Sequence, residues 1–417
     1  MMGLKTLQKV FDILTEFYLA PPFLNIHNKY ESKSFTFRLV SYVLKCCDSK
    51  WIILPLTTLV LLFDKKMRMP NDSGSVFAFG DSLNNRRAFD KLSHLINYDL
   101  SDSTCKGRRV KFIARLVATV RLYKNVKHIL DACNFSIMPV MARIQSIIAI
   151  AYYIIWADLF KYKHLKHIVV ANDHNPQQLI LLQIGKDIGI CTTYVQHAPI
   201  SKFFPALNCN IAVLDDVDTA KIYLKNKRMS CDFVFVIDRL ERSVSNRRYK
   251  KYDYRIGLAL GYFYNTNFVA DLINEILNSS TTIDILLRPH PRTAAKDLLR
   301  FKGFPRVKIE EPGRSVDEFT ENISLLFVGN SGVAFECVKK DVIVYYLDGL
   351  DDIYRDYYGW VESGLVLEVH ESSVSSVVLN PIPVFNEAKL NGDTSSYLEK
   401  CETCIMQLRY KFRDLNQ

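Results

Sequence analysis

The stretch 285–292 reads Ile285-Leu286-Leu287-Arg288-Pro289-His290-Pro291-Arg292. An apolar run stops at two prolines that bracket one histidine, with an arginine on either side. The run has the composition of a buried strand. Each proline fixes its own φ and restricts the residue before it, so His290 is held stiffly just past the strand's end. Open α/β sheets bind ligands at that edge. Two readings stand side by side: a rigid strand-to-helix loop with solvated arginines, or an anion site built from Arg288, His290 and Arg292.

Around this stretch the chain alternates strands and helices. Residues 256–260 read as a strand ending in Gly261, 269–277 as a helix, 307–309 as a strand and 316–322 as a helix. The run 324–328 (SLLFV) ends in Gly329-Asn330-Ser331-Gly332, and a helix starts near 333. Residues 342–347 make the last clear strand. A glycine- and serine-containing turn that opens a helix offers backbone N–H groups and a positive dipole end, both suited to phosphate. Ser331 adds a hydroxyl, and Glu336 on the following helix is placed to take ribose hydroxyls. The two polar strand ends are expected side by side.

The same pattern runs through the first half. Residues 1–70 read as helices, 75–79 (SVFAF) as a strand, and 84–96 as a helix with Arg86 near its N-terminus, there to bind an acidic group or to be solvated. Basic helical segments fill 107–135 and a long apolar helix covers about 139–160. Strand 167–171 ends in Asn172-Asp173-His174, followed by a helix over 177–186. Strand 192–196 ends in Gln196-His197, and further strands cover 211–214 and 233–237, with a helix over 218–227. Alternation at this spacing predicts parallel, doubly wound sheets. A basic polar stretch at 239–254 divides the chain. The expected architecture is α/β: two Rossmann-like domains, 1–238 with a helical N-terminal extension and 255–417, facing a central cleft. The last helices are expected to pack back on the first domain.

Asp173 at a strand end beside His174 suits a general base or nucleophile. It also suits an N-cap ahead of Pro176. Gln196 and His197 are candidates for substrate contact. Asp216-Val217-Asp218 has D-x-D form but opens a helix, where acids are favoured by the dipole. Asp348, Asp351 and Asp352 read as a solvated loop.

The chain has 417 residues, 49% hydrophobic and 24% charged, with a net charge of +10. That describes a globular protein attracted to something anionic. Its 10 cysteines lack disulfide-framework spacing, which points to a reducing compartment. Cys401 and Cys404 form a lone C-x-x-C, short of a zinc site. No signal peptide is legible, and the apolar run 51–63 is too short to span a bilayer. The expected location is the cytoplasm, peripheral to the inner face of the cytoplasmic membrane in one version. The N-terminal helix, about 4–19, either lies on that membrane or packs on its own domain.

Asn172-Asp173-His174, Gln196-His197, Arg288-Pro289-His290-Pro291 and Asn330-Ser331-Gly332 resemble, in order and spacing, the motifs of bacterial GT-B glycosyltransferases that use CMP-activated 2-keto sugar acids. These are the sialyl- and polysialyltransferases and the retaining β-Kdo transferases of surface-polysaccharide assembly. The match covers roughly 165–345. The sialyl motifs carry a second acid and a glycine after the first, and two hydroxyls in the last. Their absence here leans the resemblance to the Kdo type. It implies an acceptor-side first domain and a nucleotide-sugar-binding second domain, with a cytidine monophosphate pocket at His290 and Ser331. It implies catalysis by Asp173 with His174, with Asp232 as a second carboxylate for a retaining course. No metal or other cofactor is expected. The implied partners are a CMP-activated sugar acid and a saccharide or lipid-linked saccharide acceptor of capsule, O-antigen or lipopolysaccharide, with an anionic membrane surface as a further contact. Two alternatives remain: a CDP-glycerol-type polyol-phosphate transferase, and a basic nucleic-acid-binding protein. Against the second, no recognition helix or zinc finger is legible and the basic residues are dispersed, so nucleic acid is not an expected partner.

Overall fold

The computed structural model describes residues 2–33, 35–46, 52–64, 67–69, 75–80, 82–97, 99–100, 108–125, 127, 129, 138–159, 165–215, 217–225, 229–237, 255–311, 314–340 and 342–379. They fall into two compact units, one within Met1–Arg239 and the other within Leu240–Thr394. The expected linker at 239–254, the expected last helices beyond 379, Cys401 with Cys404, and Asp216 lie outside the described residues.

In the first unit the helices are α1 (Met2–Leu19), α2 (Pro21–Lys33), α3 (Phe35–Cys46), α4 (Ile53–Phe63), α5 (Leu83–Ile96), α6 (Phe112–Lys124), α7 (Val140–Leu159), α8 (Pro176–Ile188) and α9 (Val217–Lys225). Strands β1 (Arg68–Met69) and β3 (Arg108–Arg109) form a short antiparallel pair. The main sheet holds β2 (Val76–Phe79), β4 (His167–Val170), β5 (Cys191–Val195), β6 (Leu207–Leu214) and β7 (Met229–Val236), in that order and all parallel. Successive strand residues point to opposite faces. Val76, Val169, Val195 and Val213 meet Phe89 and Leu92 of α5 on one face. On the other, Phe79 meets Tyr152 and Trp156 of α7.

Helix α1 repeats Leu7, Val10, Phe11, Leu14 and Phe17 at helical spacing, and all five are buried. It packs on α7 and α8. Of the two readings of the N-terminal helix, the structure takes packing on its own unit. Helix α7 is long and apolar enough to cross a membrane over Val140–Ala157, but 61% of that stretch is buried inside the protein, as in a core helix.

The second unit contains β8 (Arg255–Ala259), α10 (Thr266–Ser279), β9 (Asp284–Arg288), a 3-10 helix (Ala295–Gly303), β10 (Val307–Ile309), α11 (Val316–Glu321), β11 (Leu325–Val328), α12 (Val333–Lys339), β12 (Ile343–Leu347), β13 (Leu367–Val369) and α13 (Val374–Leu379). Its sheet runs β10-β9-β8-β11-β12-β13, all parallel. Numbered from β8, that is the order 3-2-1-4-5-6 of dinucleotide-binding sheets. Ile285, Leu287 and Phe327 pack under α10 and α13, while Leu286, Leu326 and Val328 pack under α11 and α12. Both units are thus Rossmann-like α/β layers, as the alternation predicts.

The two sheets differ in one respect that bears on function. In the second, connections leave β8 and β11 in opposite directions, which opens a crevice at their carboxyl ends. In the first, strand order follows the chain, and the described strands contain no such reversal.

Candidate functional site

Three neighbouring strand ends of the second unit frame its carboxyl edge: His290 after β9, Gly261 after β8, and Gly329 after β11. The two motifs expected side by side are in fact separated by β8. At ~4.8 Å per strand they stand roughly 10 Å apart.

His290 is half-buried. Its Nδ1 accepts the Arg292 backbone N–H at 3.1 Å, and its carbonyl accepts the Thr293 N–H at 2.8 Å, closing the turn that the prolines begin. Burial, then the charge of Arg292, lowers its pKa. The ring is therefore neutral near pH 7. With Nδ1 accepting, its proton sits on Nε2, which is left to donate. Tyr262 stands edge-on to the ring at 5.4 Å. Arg292 itself is exposed.

Arg288 corrects the expectation of a phosphate ligand. It is buried and turned inward. Nη1 donates to Glu310 Oε2 at 2.6 Å, Nη2 donates to the Arg314 carbonyl at 2.6 Å, and the guanidinium lies 5.4 Å from the centre of the Phe319 ring. It fastens β9 to the chain after β10.

The turn Gly329-Asn330-Ser331-Gly332 is also less open than its composition suggests. The Asn330 N–H is taken by Asp351, and the Ser331 N–H goes to the Gly329 carbonyl. The Asn330 side chain accepts the Tyr357 N–H at 2.6 Å and donates to the Tyr354 carbonyl at 3.1 Å. Ser331 and Glu336 are half-buried. A Cβ on Gly332 would meet nothing within 4 Å, so the space above it is open. Helix α12 has 7 residues, a short dipole.

Asp351 is the residue that the sequence reading misplaced. Of the three acids expected in a solvated loop, Asp348 is exposed, but Asp351 is buried between Gly261 and Gly329. A Cβ on either glycine would collide with its carboxylate, so both positions require glycine. Its segment is fastened to the chain after β8: the Asn265 N–H donates to the Leu350 carbonyl at 2.9 Å and the Asp352 N–H to the Phe263 carbonyl at 2.8 Å. Burial pushes its pKa up to about 6, against the pull of the Asn330 N–H. The two glycines at adjacent strand ends were the legible signal. Which residue they admit was not.

In the first unit the loop after β4 is wired by its own side chains. Asn172 Oδ1 accepts the N–H groups of His174 (3.0 Å) and Asn175 (2.7 Å), and Gln178 Oε1 accepts those of Ala171 (2.9 Å) and Asn172 (2.7 Å). Helix α8 is capped by Asn175, with Pro176 in its first turn. The capping role considered for Asp173 thus belongs to Asn175. Asp173 is buried, with Oδ2 accepting the Tyr223 hydroxyl at 2.6 Å and Oδ1 2.9 Å from His174 Nδ1. His174 remains 30% exposed at its side chain, between the rings of Phe17 at 5.2 Å and Phe204 at 4.9 Å. A carboxylate on Nδ1 orients the ring and leaves Nε2 as the base. His174 is the exposed member of this pair and Asp173 the buried one.

Gln196 is buried: Oε1 accepts the Asp215 N–H at 2.8 Å and Nε2 donates to the Ala198 carbonyl at 3.0 Å. It ties strand ends together. His197 is half-buried beside Asp173 and His174, its pKa lowered chiefly by burial. Arg86 is exposed on α5, whose N-cap is Ser82. Asp232 corrects the reading that placed it before a strand. It lies inside the edge strand β7, exposed and bonded to Asn210 Nδ2 at 2.7 Å. The polar alternation of 207–210 and 229–232 hid that half of the β6–β7 pair. At ~3.3 Å per residue, Asp232 sits roughly 13 Å short of the carboxyl end of its strand. It does not join Asp173. Among the described residues no group of three or more metal-binding side chains occurs.

No family model matches the chain, and no curated protein matches it. Solved structures do. A UDP-GlcNAc 2-epimerase from Methanocaldococcus jannaschii aligns at 13% identity and TM-score 0.45, covering 75% of this chain and 92% of that one. A glycotransferase of kitacinnamycin aligns at 10% and 0.41, covering 83% and 96%. A single-residue variant of Os79 from O. sativa, in complex with UDP, aligns at 10% and 0.39, covering 81% and 94%. At these TM-scores the strand orders above remain the basis for the fold.

Arg288→Ala leaves Glu310 buried without its partner, and urea unfolding is expected to show a loss of about 3–5 kcal/mol. Asp351 is most stable in the fold as the neutral acid. With 3.8 unfolded and about 6 folded, its ionisation costs nothing below the lower value. The cost grows as pH rises, to about 3 kcal/mol at pH 8 and roughly half that at pH 5. Asp351→Asn should therefore gain about 1.5 kcal/mol on wild type between pH 5 and pH 8. Parallel pH profiles for the two proteins would contradict this.

Proposed function

We propose that the protein is a GT-B-type glycosyltransferase. It moves a 2-keto sugar acid, Kdo in preference to sialic acid, from its CMP-activated donor to a saccharide or lipid-linked saccharide acceptor of a bacterial surface polysaccharide. The motif resemblance supplies the family. The observation that carries the donor is the pairing of His290 with Asp351 at one sheet edge. A neutral imidazole with Nε2–H free suits a phosphate oxygen. The crevice where such sheets hold a pyrophosphate instead contains a carboxylate that has taken the Asn330 N–H. A donor with one phosphate avoids that carboxylate, whereas a nucleoside diphosphate meets it. The same feature disfavours CDP-glycerol, which carries a pyrophosphate.

In the proposed reaction the bond between the sugar's C2 and the phosphate oxygen breaks, and CMP leaves with the electron pair. His290 stabilises the charge on the departing phosphate. The acceptor hydroxyl forms the new bond at C2, and its proton passes to His174 Nε2, oriented by Asp173. A retaining course would need Asp173 as a nucleophile, which would first have to release Tyr223 or His174. This favours the base reading, a single displacement that inverts C2 and so departs from the retaining Kdo-type relatives. The proposed place of action is the cytoplasmic side of the membrane.

Two measurements test this. In a thermal-shift series with CMP, CDP, UDP and GDP at equal concentration, CMP should stabilise most. A ligand at 100 times its Kd adds about 2.7 kcal/mol. His290→Ala should remove the CMP shift and leave the unliganded melting temperature unchanged. A larger shift with UDP or CDP than with CMP contradicts the donor assignment. In a transfer assay, Asp173→Asn and His174→Ala should each lower kcat by ~10²–10⁴. An active His174→Ala with a dead Asp173→Asn would move the chemistry to the carboxylate.

A further inference from the structure

Helix α6 turns its apolar side to solvent. Phe112, Ile113, Leu116, Val117, Val120 and Tyr123 are between 43% and 73% exposed. At 100° per residue they fall within an arc of about 140°, one continuous face. The opposite face is the buried one, made by Arg115, Ala118 and Leu122. Arg115 anchors it: Nε donates to the Val110 carbonyl at 3.0 Å and Nη1 to the Leu62 carbonyl at 3.3 Å, at the end of α4. Helix α4 packs beside α6 and adds two exposed apolar residues one turn apart, Leu59 and Phe63. A soluble surface does not gather that many large apolar groups on one helix pair without a partner.

The charges around this face say which partner. From residue 108 to residue 127 the sequence contains no aspartate or glutamate. Arg109, Lys111, Arg121, Lys124 and Lys127 are all exposed. Two copies meeting through this face would set cation against cation. An acceptor of negative charge that is also soft and apolar within a few ångströms is an anionic bilayer. Helices with a Phe- and Leu-bearing apolar side and a Lys/Arg border lie in the plane of that interface.

We propose that the outer face of α4 and α6 docks on an anionic lipid surface, with α6 lying in the headgroup plane. The membrane contact moves from the N-terminal helix α1, whose apolar residues are buried in the fold, to a helix pair whose apolar residues are not. The inference is independent of the nucleotide-sugar reading. If that reading holds as well, docking brings the enzyme to acceptors carried on lipid.

The test is sedimentation of the full chain with vesicles. Probes are pure phosphatidylcholine and a 7:3 mixture of phosphatidylcholine and phosphatidylglycerol at 0.15 M salt. The chain should bind the mixed vesicles at least tenfold more tightly than the neutral ones, and binding should fall as salt rises. Ile113→Asp with Val120→Asp changes two exposed positions, so the melting temperature should hold while binding drops at least tenfold. Arg121→Glu with Lys124→Glu, read the same way, tests the charge separately. Val117→Trp should shift its fluorescence to the blue only with the anionic vesicles. Failure to bind mixed vesicles, or binding unaffected by Ile113→Asp with Val120→Asp, overturns the proposal. So does a concentration-dependent dimer that the same double variant dissociates without any vesicle binding, which would assign the face to a second copy.

Discussion

Where β8 and β11 run side by side and their connections depart in opposite directions, the sheet cannot close over its own carboxyl edge. Backbone groups at that point need a partner that the ladder does not supply. In this protein the partner is a side chain of the chain itself. Asp351 reaches between Gly261 and Gly329, accepts the Asn330 N–H, and is buried there. The loop that carries it is stitched to the chain after β8 by backbone bonds and to Asn330 after β11 through Tyr354 and Tyr357, so the carboxylate is part of the edge and not a passing contact. Much else at this edge follows. In the turn after β11 the Asn330 and Ser331 N–H groups are taken, Asn330 is committed to the chain at 354–357, and the donor at His290 lies two strands away, beyond β8.

The first unit solves a related problem by other means. Its sheet has no reversal among the described strands, so its polar loop is assembled by side chains: Asn172 and Gln178 satisfy the loop, Asn175 caps the helix, and Asp173 is left over. A carboxylate freed from capping, buried and bonded to Tyr223 orients His174, whose far nitrogen is the base of the proposed reaction. The roof is α1, through Phe17 on the His174 ring. The helix that the sequence offered to a membrane is therefore part of the support of a candidate catalytic pair.

Strand–helix alternation and the stiffness of Arg288-Pro289-His290-Pro291 were legible because they depend on local rules: side-chain periodicity and proline φ. The loop geometry at His290 matches that reading. Arg288 did not, because strand-end position says nothing of which way a long side chain turns. Glu310, buried after β10, decides it. Asp351 was hidden for a similar reason: its burial depends on contact with Gly261, 90 residues earlier. Asp232 was misplaced because β7 begins in polar alternation, which an apolar-run reading passes over. Local signals survive in the sequence. Pairings across the sheet do not.

A single phosphate at His290, with the crevice kept for Asp351, is open to a crystal structure of the full chain with CMP. The phosphate is expected within hydrogen-bond distance of His290 Nε2, with Asp351 still seated between Gly261 and Gly329. A phosphate bound in the crevice, with the Asp351 carboxylate displaced and His290 untouched, would contradict it.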